Sequence, residues 1–211
     1  MFQSASVHLP YLKTVENDGS VSKKDNDATC SMFLLHKRSD KVTTNPNQIH
    51  VVPSGSYQPA TVKDGDSADL IQESLKKAEN LMSTVEREFI EEILGKEEAD
   101  DLYDNEVLKK YGIETILKDT YLLGVGFSPL ATHVDVFAIS VIDSNSSNMG
   151  NNVKEIMSNI QGNFEGKVFL KPFNKHELNQ CLQQNNASPS LKAMFRIIVN
   201  DYENIANQLK I

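Results

Sequence analysis

One short run of the sequence places three glutamates and an arginine at helical spacing. In REFIEEI, residues 87–93, Arg87 leads Glu88, Glu91 and Glu92, and apolar residues fill the positions between them. At 100° per residue the three carboxylates share an arc of about 100°, while apolar side chains cover the sides and back of the helix. Like charges at this spacing repel each other. Arg87 can reach Glu91 at i+4, and a hard divalent cation with oxygen ligands would compensate the others.

A second interpretation of the same run needs no ligand. The glutamates could form a solvated acidic face that continues into KEEADD, residues 96–101. The two interpretations differ in burial, because a helix that is apolar on its sides and back is packed on more than one side and cannot turn all of its acids to bulk water.

The spacing of these residues matches a known signature. The order along the chain is Glu79, seven intervening residues, Arg87-Glu88, an apolar residue, one further residue and Glu91-Glu92. This pattern resembles the Nudix box of Nudix hydrolases, written G-x5-E-x7-R-E-U-x-E-E-x-G-U, where U is a bulky aliphatic residue. Phe89 takes the first U position as an aromatic residue. The resemblance covers roughly residues 28–175, including the apolar runs on either side of the box.

The two glycines of the box are replaced in this chain. Glu73 stands at the first glycine position and Leu94 at the second. Gly55 is an alternative equivalent of the first glycine, because it closes a Pro53-Ser54-Gly55 turn after an apolar run, and a longer loop would then precede Glu79.

The resemblance implies a Mg²⁺- or Mn²⁺-dependent hydrolase that cleaves the pyrophosphate bond of a nucleoside diphosphate linked to another moiety, with metal-activated water as the nucleophile. It implies a set of metal ligands on and before the helix, namely Glu79, Glu88, Glu91 and Glu92. It also implies a catalytic set of Arg87, Glu91, Glu92 and an acid from a later loop, in which Arg87 orients a ligand. Our candidate for the later acid is Glu165, with Asp143 and Glu155 as weaker alternatives.

Two other functions stay open on the sequence. A Nudix-fold domain that binds a nucleotide as a sensor without hydrolysing it would suit the replaced glycines and the long loop. A small α+β interaction module would carry the acidic helix by coincidence. Retention of Arg87 and three mutually repelling glutamates favours the enzyme.

Composition narrows the class of partner. The net charge of −8 over 211 residues disfavours nucleic acid, whose phosphates attract basic proteins. Neither a signal peptide nor a transmembrane stretch is predicted, so we expect a cytoplasmic protein that acts on a nucleotide-type small molecule; a homodimer stays open.

Cys30 and Cys181 are far apart and predict buried, reduced thiols. The histidines in or beside predicted strands read as structural imidazoles: His36, His50 and His133.

The remaining pattern predicts an α+β fold. Apolar runs predict strands over 30–38, 49–55, 120–128, 131–143 and 166–173. The second is stopped by Pro53 and Gly55, and the third and fourth form an antiparallel pair. In the fourth run, alternation is indicated by the apolar residues Val134, Val136, Ala138 and Val141. Helical pattern begins at Ser67 and reaches Gly95, and further helices follow Asn174 and Ser190. We therefore expect a Nudix-like αβα sandwich with a mixed central sheet, the acidic helix after the Pro-Ser-Gly turn, and extra C-terminal helices.

The predicted domain plan has two parts. Residues 1–27 form an N-terminal extension or loop, and residues 28–211 form the domain, with an inserted segment over 56–79 and C-terminal helices over 174–211.

Overall fold

Two sheets, one of them mixed and the other antiparallel, form the centre of the described structure. The structure is a computed structural model that describes residues 5–8, 12–14, 30–42, 46–56, 67–69, 71–72, 76, 81–93, 119–128, 133–142 and 166–211. Within these ranges the strands are β1 (Ala5–His8), β2 (Leu12–Thr14), β3 (Cys30–Arg38), β4 (Ile49–Val51), β5 (Ser54–Ser56), β6 (Thr120–Ser128), β7 (His133–Ser140) and β8 (Gly166–Pro172). One sheet has the order β5-β1-β7-β6, and in the other β3 pairs with β2, β4 and β8.

The α+β class and the mixed sheet are confirmed. β1 runs parallel to β7, whereas β1 and β5, and β6 and β7, are antiparallel. Strands predicted over 30–38 and 120–128 have the expected bounds, and the expected antiparallel pair is β6 and β7. The run over 49–55 is not one strand. It divides at Val52-Pro53 into β4 and β5, which lie in different sheets, because proline has no N–H with which to continue a ladder.

The N-terminal residues differ from the loop expected over 1–27. Within that range, β1 lies between β5 and β7 and β2 pairs with the beginning of β3. Two short strands of this segment therefore belong to the sheets. The domain boundary at residue 28 remains a prediction.

Alternate side chains of β3 face two different layers of helices. Phe33 and Leu35 point into a core shared with the C-terminal helices, where Phe33 meets Phe195 edge-on at 5.3 Å between ring centroids. Because successive side chains of a strand point to opposite faces, Leu34 and His36 face away from that core. His36 instead approaches the acidic helix. The C-terminal helices and the acidic helix therefore cover opposite faces of β3.

The C-terminal helices are α2 (Lys175–Gln183), α3 (Pro189–Asn200) and α4 (Tyr202–Leu209), preceded in the chain by α1 (Leu81–Glu88). Asn174 caps α2 as predicted, since its side chain accepts from the Glu177 N–H at 2.9 Å. The expected start of α3 at Ser190 is corrected to a cap at Ser188, which accepts from the Leu191 N–H. Proline favours the first helical position, so Pro189 places the cap one residue earlier. Ser190 donates to Asp135 instead.

The valines on which alternation was predicted in β7 lie on the less buried face of the sheet. Phe137 and Ile139 enter the core with α3, while Val134 and Val136 lie on the other face and are half-buried. On β6, the residues paired with that second face are the exposed Leu122, Val125 and Phe127. On the core side, Gly126 leaves room for the Phe137 ring, which would lie 2.9 Å from an added Cβ. No helix within the described residues is long and apolar enough to span a membrane.

A glycine at the start of β8 sets its distance from β3. Gly166 has φ +155°, and an added Cβ would overlap the Lys37 carbonyl oxygen and the His36 ring. We expect Gly166→Ala to lower the free energy of unfolding by about 3 kcal/mol, from backbone strain and overlap together. Gly124→Ala is the control, because its Cβ would meet Ile197 at an ordinary 3.4 Å. Denaturant unfolding of both variants measures the difference, and equal losses would contradict the prediction.

Cys181 is a free thiol inside the α2–α3 core. Burial raises the pKa of its thiol, opposed by the charge of Lys171. Only the thiolate reacts with disulfide reagents, and a raised pKa leaves less thiolate at any given pH. In a Cys30→Ser variant, which leaves Cys181 as the reporter, we expect labelling at mildly alkaline pH to be far slower in the folded protein than in denaturant. Comparable rates in the two states would contradict this burial.

Candidate active site

The acidic run forms a buried helical segment. α1 continues directly into a π-helical turn over Phe89–Ile93. Val85, Phe89 and Ile90 are fully enclosed, and Glu88 and Glu92 are buried with them. A solvated acidic face would leave its carboxylates open to water, so the described part of this helix does not fit that interpretation. KEEADD lies outside the described residues.

The π turn alters the angular placement predicted for the acids. A π helix bonds i to i+5 and therefore advances less than 100° per residue. The arc calculated for a regular α helix holds as far as Glu88, and beyond it Glu91 and Glu92 are rotated relative to that calculation. Within this turn Glu92 is buried and Glu91 is half-buried.

Arg87 holds two of the carboxylates. Its Nη1 lies 3.4 Å from both oxygens of Glu91, the contact expected from i+4 spacing. Its Nη2 lies 2.5 Å from Glu88 Oε1 and donates to the Ser56 carbonyl at 3.4 Å. Arg87 is itself buried. One guanidinium therefore connects two acids of the helix to the backbone of β5.

Glu92 is held from two sides. Its Oε2 accepts a 2.8 Å hydrogen bond from the Ser54 N–H. Its Oε1 lies 3.6 Å from Nδ1 of His36, and both side chains are 1% exposed. The end of the acidic helix is thus joined to the beginning of β5 and to His36, near the end of β3.

Glu88 lies directly on the backbone of Gly55. A Cβ added to Gly55 would overlap the Glu88 carboxyl group. Only glycine leaves that space to the carboxylate, and the equivalence of Gly55 to the first glycine of the box remains a prediction. Glu88 and Glu92 therefore approach the same strand, β5, one residue apart.

The structure brings four of the predicted site residues together, namely Arg87, Glu88, Glu91 and Glu92. The other candidates lie outside the described residues: Glu79 and Glu165, the weaker alternatives Asp143 and Glu155, and the replaced glycine positions Glu73 and Leu94. Their roles remain predictions.

The donor chemistry of this cluster suits a hard divalent cation. Glu88, Glu91 and Glu92 with Arg87 carry three formal negative charges against one positive, an excess of −2. In the described part of the chain, no three acidic, histidine or cysteine side chains already enclose a metal position. Mg²⁺ does not require such a cage, because it keeps several waters and is held by one or two carboxylates plus substrate phosphates. The residues present therefore fit Mg²⁺ or the similar Mn²⁺.

Three contacts of the site were not foreseen from the sequence. The Ser54 N–H and the Ser56 carbonyl are backbone groups, which no side-chain motif reveals. His36 was predicted to be structural, yet it faces Glu92. Its position offers a signal, since a histidine two residues after Leu34 in a buried strand lies on the face opposite Phe33 and Leu35.

Two solved structures are similar to this chain. One is a mutT/nudix family protein from Listeria innocua, with 13% identity, a TM-score of 0.46, and coverage of 96% of this chain and 95% of that one. The other is a NUDIX hydrolase from Alicyclobacillus acidocaldarius, with 12% identity, a TM-score of 0.45, and coverage of 100% and 96%. No family model matches the sequence, and no curated protein matches it. The chemistry of the site is accordingly inferred from the residues of this chain.

Proposed function

We propose that this protein is a Nudix-type hydrolase that uses Mg²⁺ or Mn²⁺ to cleave the pyrophosphate bond of a nucleoside diphosphate linked to another moiety. The proposal joins the register of Arg87, Glu88, Glu91 and Glu92 to their placement in the fold. Divalent cations neutralise the charge of a diphosphate and lower the pKa of bound water, which is the chemistry that this hydrolysis requires.

The observation that carries the proposal is the approach of Glu88 and Glu92 to one glycine-containing strand. Buried charged groups are usually paired with an opposite charge or coordinate a metal ion. Arg87 supplies one positive charge to Glu88 and Glu91, and no described salt bridge supplies a permanent cation to Glu92. A divalent ion beside β5 would balance the excess charge.

The residues of the chain have distinct roles in this proposal. Glu88 and Glu92 are the ligands best placed by their shared contact with β5. Arg87 holds both Glu88 and Glu91, so in this proposal it orients the acidic turn and does not contact the substrate. Glu79 and Glu165 complete the proposed set from segments before and after the helix, Glu165 as the base or an additional ligand.

A nucleotide-release assay tests the proposal. The purified protein is given a panel of nucleoside diphosphates linked to sugars, nucleosides or other alcohols, with Mg²⁺, Mn²⁺ or a chelator. We expect turnover with either metal and none with the chelator. Glu177→Gln is a matched acid-to-amide control, because Glu177 lies on α2, away from the acidic helix, and pairs with Lys171 of β8. The turnover of this variant should equal that of the unchanged protein.

The alternatives give different results in the same assay. Saturable binding of a nucleotide without release of product would favour a sensor domain. Failure to bind Mg²⁺ or Mn²⁺ at millimolar concentration would overturn both the hydrolase and a metal-dependent sensor, and would leave the interaction module.

A further inference from the structure

His36 is a buried imidazole with an unsatisfied ring nitrogen. The residue is 1% exposed, and its Nδ1 makes no hydrogen bond within the described structure. Glu92 Oε1 lies 3.6 Å from that nitrogen, slightly beyond hydrogen-bond length. Buried polar groups usually have a partner, so a nitrogen directed at a buried carboxylate points to a functional contact.

The imidazole ring is held in its orientation by the strands around it. β3 pairs with β4 and β8 at His36, which lies opposite His50 on one side and Val168 on the other. The backbone of Gly166 lies against the Nε2 edge of the ring, where a Cβ would overlap Nε2. The Nδ1 edge is consequently kept toward Glu92.

The two oxygens of Glu92 meet different groups. Oε2 accepts from the Ser54 N–H at 2.8 Å, while Oε1 faces His36. A carboxylate has about four lone-pair sites, so two such contacts define its plane and leave sites for a cation. A neutral imidazole protonated on Nδ1 can donate to this oxygen without adding charge.

We propose that His36 is a positioning residue for Glu92, holding the plane of the carboxylate so that its remaining lone pairs would stay available to the divalent cation of the proposed function. The inference rests on the proposed function and deepens it. His36 acts through Glu92 and touches neither substrate nor metal. Groups that hydrogen-bond a ligating side chain orient it and tune its affinity for the ion.

Two amide substitutions separate positioning from packing. In His36→Asn the amide nitrogen falls near the position of Nδ1, whereas in His36→Gln it falls near that of Nε2. We expect His36→Gln to weaken Mn²⁺ binding by about 10–100-fold, and His36→Asn to bind close to the unchanged protein. A role in packing alone predicts the opposite order, because asparagine leaves the larger cavity. The dissociation constant is measured calorimetrically on the full chain without substrate.

A double-mutant cycle tests whether His36 acts through Glu92. In a Glu92→Gln background, His36→Gln should cause no further loss of Mn²⁺ affinity. Three outcomes would overturn the inference and leave the proposed function standing. They are additive losses of Mn²⁺ affinity in the double mutant, a larger loss for His36→Asn than for His36→Gln, and unchanged Mn²⁺ binding in His36→Gln. If Glu92→Gln binds Mn²⁺ too weakly to titrate, the relative Mn²⁺ affinities of His36→Asn and His36→Gln decide the test. Absence of Mn²⁺ binding by the unchanged protein would overturn the proposed function and this inference with it.

Discussion

Glu92→Gln is expected to lower kcat for metal-dependent hydrolysis by about 10²–10³-fold, the usual effect of removing one charge-stabilising group from an active site. Glutamine has the shape of glutamate, and its carbonyl oxygen can still accept from the Ser54 N–H that binds Glu92 at 2.8 Å. The substitution therefore removes the negative charge while leaving the link to β5. Steady-state kinetics over a range of Mg²⁺ and Mn²⁺ concentrations measure the effect.

The comparison with Glu91→Gln makes this prediction specific. Glu91 is held by Arg87 and is more exposed than Glu92, so its amide variant should lose less activity. Thermal unfolding in the absence of metal checks that both variants remain folded. Activity of Glu92→Gln equal to that of the unchanged protein would contradict a ligand role for Glu92.

Gly55→Ala is expected to reduce activity by about 10²-fold, because a misplacement of about 1 Å at a catalytic group has an effect of that size. The added methyl group would overlap the Glu88 carboxyl group, so either Glu88 or β5 must move. Stability should fall as well, by about 1–3 kcal/mol for overpacking. The measurements are kcat and the free energy of unfolding on the same preparation.

The free energy of unfolding directly tests whether the methyl group of Gly55→Ala overlaps the Glu88 side chain. In a Glu88→Ala background the carboxyl group is gone, so Gly55→Ala should then cost little. A loss of stability that is the same in both backgrounds would place the strain elsewhere. The cycle is independent of any substrate, and it therefore tests the geometry of the site separately from its chemistry.

The main elements of the fold could be predicted because their signals are local. The apolar runs of β3 and β6 and the cap at Asn174 depend on neighbouring residues, and each has the expected bounds or contact. Errors arose where a distant segment decides, or where two neighbouring residues suit the same role. The run over 49–55 splits between two sheets because β5 pairs with β1, far away in sequence. The start of α3 was misplaced because Ser188 and Ser190 are both good capping residues.

Within the site, the sequence identified side chains but not their surroundings. The register of Arg87, Glu88, Glu91 and Glu92 pointed to a cation, and the i+4 contact of Arg87 with Glu91 is present. The rotation of the π turn could not be calculated from a regular helical period. The approach of β5 also lay beyond sequence reasoning, because it depends on the path of the chain between Val51 and α1.

By itself, the sequence determined the acidic cluster, its arginine and its place on a helix with apolar sides, because charge and period are properties of consecutive residues. Only the tertiary structure decided that Glu88 and Glu92 turn toward β5, that Gly55 is the glycine this approach requires, and that His36 faces Glu92. The physical reason is that these contacts join the helix to strands more than thirty residues away, through backbone groups and a buried ring whose positions are set by sheet pairing.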